Sequence, residues 1–143
     1  MNYYAIEPEV AGGWGDHTDF TRTPGKGTEV HRLHFEFEGW LGDELLESGG
    51  CFIVTDRLAR EIQHAHLTGV SFDHVEVTTS DVFEQLQPNC QLPKFEWLKI
   101  EGGPGRDDFG ISSGPGVVVS ERALNLLKRI GLSHAATITP FEG

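Results

Sequence analysis

The chain has 143 residues, and its 38% hydrophobic and 23% charged content suits one packed domain rather than a disordered chain. Twenty-two acids against 11 lysines and arginines give a formal charge of −11, a field that repels phosphate backbones and argues against direct nucleic-acid binding. No stretch approaches the ~20 apolar residues of a membrane helix, the start Met1-Asn2-Tyr3-Tyr4 lacks a basic-then-apolar leader, and Cys51 and Cys90 lie outside any CxxC spacing, so plain thiols in a reducing cytoplasm are expected.

A short strand is expected within residues 1–9. Gly12-Gly13-Trp14-Gly15-Asp16 and Thr23-Pro24-Gly25-Lys26-Gly27 carry turn chemistry and indicate a long loop. In 30–38, Leu33, Phe35 and Phe37 alternate with His34, Glu36 and Glu38, the period of a strand with one wet face. The acidic, aromatic stretch Gly39 to Glu47 reads as a turn with one or two helical turns, ended by Gly49-Gly50. Residues 1–50 thus form an irregular acidic part; residues 1–48 hold ten acids against three bases, a local charge of −7.

The apolar run Cys51-Phe52-Ile53-Val54 reads as a buried strand. Thr55 then caps a helix whose first turn carries Asp56; it should run to about His66, with Gly69 as the C′ residue. Residues 72–78 read as one strand, and Ser80 caps a second helix limited by Pro88. A strand over 95–101, a turn-rich loop over 102–108 and a strand over 117–119 follow. Ser120 caps a last helix with Glu121 at its start and Lys128, Arg129 and Gly131 at its end. A terminal strand is expected around 135–139.

Val54-Thr55-Asp56-Arg57 and Val119-Ser120-Glu121-Arg122 echo each other at an offset of 65 residues. The apolar positions continue in step: Leu58 with Ala123, Ala59 with Leu124, Ile62 with Leu127 and Ala65 with Ile130, the face of a helix turned to a core. The expected fold is therefore α+β, a single domain with a mixed or antiparallel sheet, about three helices and two strand–helix–strand modules at 51–78 and 117–139. The second module's helix should be about one turn shorter. Arg57 and Arg122 share the second helical position, where a cation opposes the helix dipole; a salt bridge to a nearby acid or a guanidinium contact to an anion would hold them there.

Catalytic motifs fail on inspection. Asp108-Phe109-Gly110 spells the magnesium-binding triplet of protein kinases, without that family's phosphate loop, lysine or catalytic loop upstream. The glycine clusters at 102–105 and 114–116 lack the spacing of a dinucleotide fingerprint or P-loop, and Gly110-Ile111-Ser112-Ser113-Gly114 is not a GxSxG elbow. His31 and His34 point to opposite faces of a strand, and His64 and His66 diverge on a helix, so neither pair chelates. Cys51 sits in an apolar run as an inert thiol. Nothing requires a metal or cofactor, and nucleophile, base and orienting group do not come together.

Val54-Thr55-Asp56-Arg57-Leu58, and Val119-Ser120-Glu121-Arg122-Ala123 with Leu127, Gly131 and a following strand, resemble a segment of small bacterial immunity proteins of polymorphic toxin systems. The likeness covers about 20 residues. It implies a non-enzymatic α+β protein that neutralises a toxin by occlusion, and an acidic surface suits a basic toxin. Trp40, Asp43, Glu44 and Glu47 with Asp107 and Asp108 are the expected contacts to a basic protein partner, and Arg57 and Arg122 the candidate anion contacts. The alternatives are a small hydrolase-like enzyme using scattered acids and histidines, or a self-associating structural or regulatory domain.

Overall fold

The computed structural model describes residues 2–112, 116–132 and 137–142. Within these the elements are β1 (Tyr3–Glu7), β2 (Gly12–Trp14), β3 (Asp19–Thr23), β4 (Gly27–Phe37), β5 (Leu45–Ser48), β6 (Cys51–Thr55), α1 (Asp56–His64), β7 (Val70–Asp73), β8 (Val75–Thr79), α2 (Asp81–Leu86), β9 (Phe95–Ile100), β10 (Phe109–Gly110), β11 (Val117–Ser120), α3 (Glu121–Ile130) and β12 (Thr137–Pro140). The α+β class, the mixed and antiparallel sheets and the three helices match the sequence reading. Of the terminal strand expected at 135–139, Ala135 and Ala136 lie outside the described residues.

Two sheets share one plan. One has the order β5-β6-β9-β7, the other β10-β11-β1-β12, with every neighbouring pair antiparallel. Leu45 faces Val54 where Phe109 faces Val119, and Thr55 faces Phe95 where Ser120 faces Tyr3. The chain therefore runs twice through the same strand, strand, strand, helix, strand order: β1, β5, β6, α1, β7, then β9, β10, β11, α3, β12. The first strand of each unit is exchanged. β1 fills the gap between β11 and β12 of the second unit, and β9 fills the gap between β6 and β7 of the first. Each expected strand–helix–strand module is thus split by a strand from the other half, which ties the halves into one body. The helices are nearly equal, nine residues in α1 and ten in α3, so the second is not the shorter.

β2, β3 and β4 form a third sheet, onto which β8 adds parallel to β4. Ile6, Leu45, Phe52, Val54, Val117 and Val119 meet α1 and α3 in one core. On the other side, Leu46, Cys51, Ile53 and Trp97 meet Leu33, Phe35, Phe37 and Phe83 in a second. The sheet around β6 lies between the two, so its side chains are buried on both faces. That is why Cys51 to Val54 is a continuous apolar run.

The same burial explains a correction. Leu45 and Leu46 are both fully buried, one in each core, and the stretch 39–47 expected to carry helical turns is a loop over 39–44 that runs into β5. The loop expected through 12–27 contains β2 and β3, so 1–50 is largely strand. Every residue of β3 is exposed, and a strand wet on both faces carries no hydrophobic period to read. Residues 72–78 divide at His74 into β7 and β8, which join different sheets. The helix α1 ends at His64, and His66, at φ 54°, takes the left-handed C′ place with its N–H on the Gln63 carbonyl and Leu67 N–H on that of Ile62. Gly69 serves elsewhere: at φ 90° it lies against β10, where a Cβ would fall 2.3 Å from the Phe109 carbonyl oxygen.

Thr55, Ser80 and Ser120 each accept a hydrogen bond from the N–H three residues on, as their sequence positions predict. Ser80→Ala removes only this cap from α2 and should lower stability by about 1 kcal/mol. A denaturant midpoint that falls at unchanged slope checks it; an unshifted midpoint would remove the cap from the account of α2.

Candidate functional site

The two units place Arg57 and Arg122 in matching clamps. The Arg122 guanidinium donates to both Asp108 oxygens (Nε 3.0 Å, Nη2 2.7 Å) and reaches the carbonyls of Ala65 and His66 at the end of α1. Ser120 Oγ donates to the same carboxylate at 2.6 Å and Thr68 N–H at 2.8 Å. In the other unit the Arg57 guanidinium donates to both Glu44 oxygens and to the Ile130 carbonyl at the end of α3, while Thr55 Oγ1 donates to Glu44 at 2.5 Å. Each arginine opposes the dipole of its own helix but sits at the negative end of the other. The two clamps fasten α1 and α3 head to tail, and the ion-pair reading of these arginines is the one the geometry supplies.

The acids of the clamps, and Asp43 beside Glu44, are inward. Asp108 is 7% exposed and Asp43 0%, and the Glu44 side chain is largely covered. Burial alone would push the Asp108 carboxyl up; hydrogen bonds from Arg122, Ser120 and Thr68, with the Arg122 charge, reverse this and hold it at about 2. Asp107 accepts from Gly103 N–H and Arg106 and shapes its own loop. Glu47 is partly buried, and that burial raises its pKa. The expected acidic contact face therefore does not form from Asp43, Glu44 and Asp108: Asp43 is fully buried, and the fold turns the Glu44 and Asp108 carboxylates toward backbone N–H, hydroxyl and guanidinium donors. Single-sequence spacing carries no sign of this, because Asp108 meets Thr68 and Glu44 meets Gly131 from opposite halves of the chain.

Trp40 remains at the surface, half-buried and rigidly held. Gln87, just past α2, accepts from its backbone N–H at 2.7 Å and donates to its carbonyl at 3.1 Å. Its indole Nε1–H donates to the Asp43 carbonyl at 2.8 Å, and its ring meets Phe95 edge-on at 6.0 Å. Glu9, 6% exposed, accepts from Leu41 N–H at 2.7 Å and Asp43 N–H at 3.2 Å. Loop 39–44 is thus pinned from beneath by a buried carboxylate and from the side by a glutamine. On one flank of Trp40 a groove of about 380 Å³ gathers Glu44, Arg57, Arg60 and Lys94; on the other, a groove of about 430 Å³ is lined by Glu9, Glu38, Leu41 and Leu86.

Titratable groups also meet where the sequence showed no pattern. His17, His34 and Glu76 bring one donor atom each within 4.8 Å of one another. His34 Nδ1 accepts from His17 backbone N–H at 3.1 Å, which places the ring proton on Nε2, 2.7 Å from Thr78 Oγ1. His17 Nδ1 is 2.8 Å from Glu76 Oε2, and its ring stacks on His34 at 4.9 Å. A metal would have to break one of the two hydrogen bonds that already occupy His34. The group fastens turn 15–18 onto β4 and β8. His31, expected to diverge from His34, is exposed and bonds Thr21. Cys51 is buried, and burial, with the Glu47 charge, pushes its thiol up to about 11, far from the thiolate a nucleophile requires.

Among the described residues no helix is long and apolar enough to cross a membrane. The chain matches no protein-family model, no curated protein and no solved structure.

Proposed function

We propose that this chain is a non-enzymatic protein-binding module of the immunity type, which neutralises a basic toxin by covering it. The observation that carries the reading is the way charge is distributed. Arg32, Arg57, Arg60, Lys99, Arg106, Arg122 and Arg129 each pair with a carboxylate of the same chain, while Asp16, Asp19, Glu29, Glu38, Asp81 and Glu84 are exposed. Much of the positive charge is paired within the chain, and the charge left over at the surface is net negative. Such a field speeds encounter with a basic protein and slows it with an acidic one.

The test is binding to the purified product of the neighbouring gene, followed by the salt dependence of association. A tight complex is expected whose association rate falls about tenfold or more between low and high ionic strength. Absence of binding, or an association rate indifferent to salt, would count against the reading.

A further inference from the structure

We propose that the partner docks in the groove between loop 39–42 and the end of α2, seating an aliphatic or aromatic side chain flanked by lysine or arginine against Val10, Leu41 and Leu86. The proposal rests on the protein-binding reading and gives it a place. Val10, Leu41 and Leu86 are 69%, 68% and 70% exposed, the three most exposed large apolar side chains described, and all three line the same groove. Val82, half-exposed one helical turn before Leu86, extends the strip along α2. Scattered apolar residues on a surface are ordinary; a cluster on a concave site is a mark of an interface.

The groove is also preformed. Leu41 is not loose chain that happens to face water, because its own N–H is held by the buried Glu9 carboxylate and the residue before it is locked to Gln87 on both sides of its peptide. A buried acid and a glutamine thus hold a leucine outward, which lowers the ordering cost of binding there. The charged residues lining the groove are Glu9 and Glu38, and no lysine or arginine lines it. That selects a cationic occupant, and a second copy of a chain with formal charge −11 is repelled rather than drawn in.

Two probes test this on the full chain. The first is a twelve-residue leucine/lysine amphipathic peptide, titrated into isotopically labelled protein and followed by amide shifts, with a serine/lysine peptide of equal charge as reference. The leucine peptide should perturb Val10, Leu41 and Leu86, the reference should not, and Leu41→Ser/Leu86→Ser should abolish the response while its circular dichroism matches the wild type. The second probe is the neighbouring gene's product, whose affinity should fall at least about thirtyfold in the same double variant and change little in Phe20→Ser. If that product binds both forms equally, the groove is overturned while the protein-binding reading stands. If it binds neither but the peptide still seats at the three residues, the groove stands and the partner assignment falls. Perturbations spread over the acidic surface and equal for both peptides would overturn the groove, as would a wild-type dimer in sedimentation that the double variant dissolves.

Discussion

Asp108→Ala is expected to destabilise the protein by about 2–4 kcal/mol, the loss of charge-assisted hydrogen bonds to a buried carboxylate together with a buried hydroxyl left unsatisfied. The carboxylate is the point where the second unit is tied to the first: it accepts from Arg122, from Ser120 Oγ and from Thr68 N–H. Arg122 is half-exposed and can turn to water, but Ser120 is fully buried, so its hydroxyl is left without its acceptor, and that unsatisfied group adds to the cost. Chemical denaturation at pH 7 reads the loss.

The same residue has a signature in pH. Its folded pKa of about 2 lies below the value of 3.8 for an unperturbed aspartate, so the unfolded chain takes up the proton first. The stabilisation is fully present above the unfolded value, declines as pH falls from about 5, and is lost once pH passes below about 2. A shift of this size corresponds to roughly 2 kcal/mol. The stability gap between wild type and Asp108→Ala should therefore narrow by about that amount between pH 5 and pH 2. A gap that stays constant over this range would mean that the carboxylate is not held ionised by its neighbours.

What could be read from residues alone divides by distance along the chain. Thr55, Ser80 and Ser120 declared their helices because a cap and the N–H it satisfies are three residues apart. The alternation from Leu33 to Phe37 declared β4, since its apolar side chains enter the core; the opposite face, expected to be wet, is covered at His34 by turn 15–18 and partly exposed at Glu36. The echo at 65 residues marked the two units, but their relation stayed hidden: the exchange of β1 and β9 pairs Tyr3 with Ser120 and Phe95 with Thr55, and no local pattern distinguishes a strand that pairs within its unit from one that crosses. The acids failed for the same reason. Asp43, Glu44 and Asp108 read as exposed charge because partners such as Thr68 for Asp108 are distant in sequence and Ser120 lies on the neighbouring strand. Trp40, expected as a partner contact, lies half-buried at the surface, yet the groove beside it needed Val10, Leu41 and Leu86 from three separate segments.

The second large effect is expected at Phe37. Its ring is fully buried and meets Phe35 at 4.9 Å, Phe95 at 5.2 Å and Phe83 at 6.2 Å. These four come from β4, β9 and α2, so the ring is the point where the third sheet, the shared sheet and α2 are packed together. Phe37→Ala should cost about 3–5 kcal/mol, the transfer of the lost ring plus the cavity that its neighbours cannot fill. The effect should also be uneven. The helix α2 has six residues and its one buried side chain is Phe83, whereas α1 and α3 lie against the other core. Hydrogen exchange in the variant should therefore accelerate at α2 amides beyond what the global loss of stability explains, with α1 and α3 following the global value. Because α2 carries Leu86 and leads into Gln87, which pins Trp40, the hydrophobic centre of the third sheet also sets the shape of the docking groove. A loss below about 1 kcal/mol, or exchange that quickens equally in all three helices, would show that Phe37 does not couple them in this way.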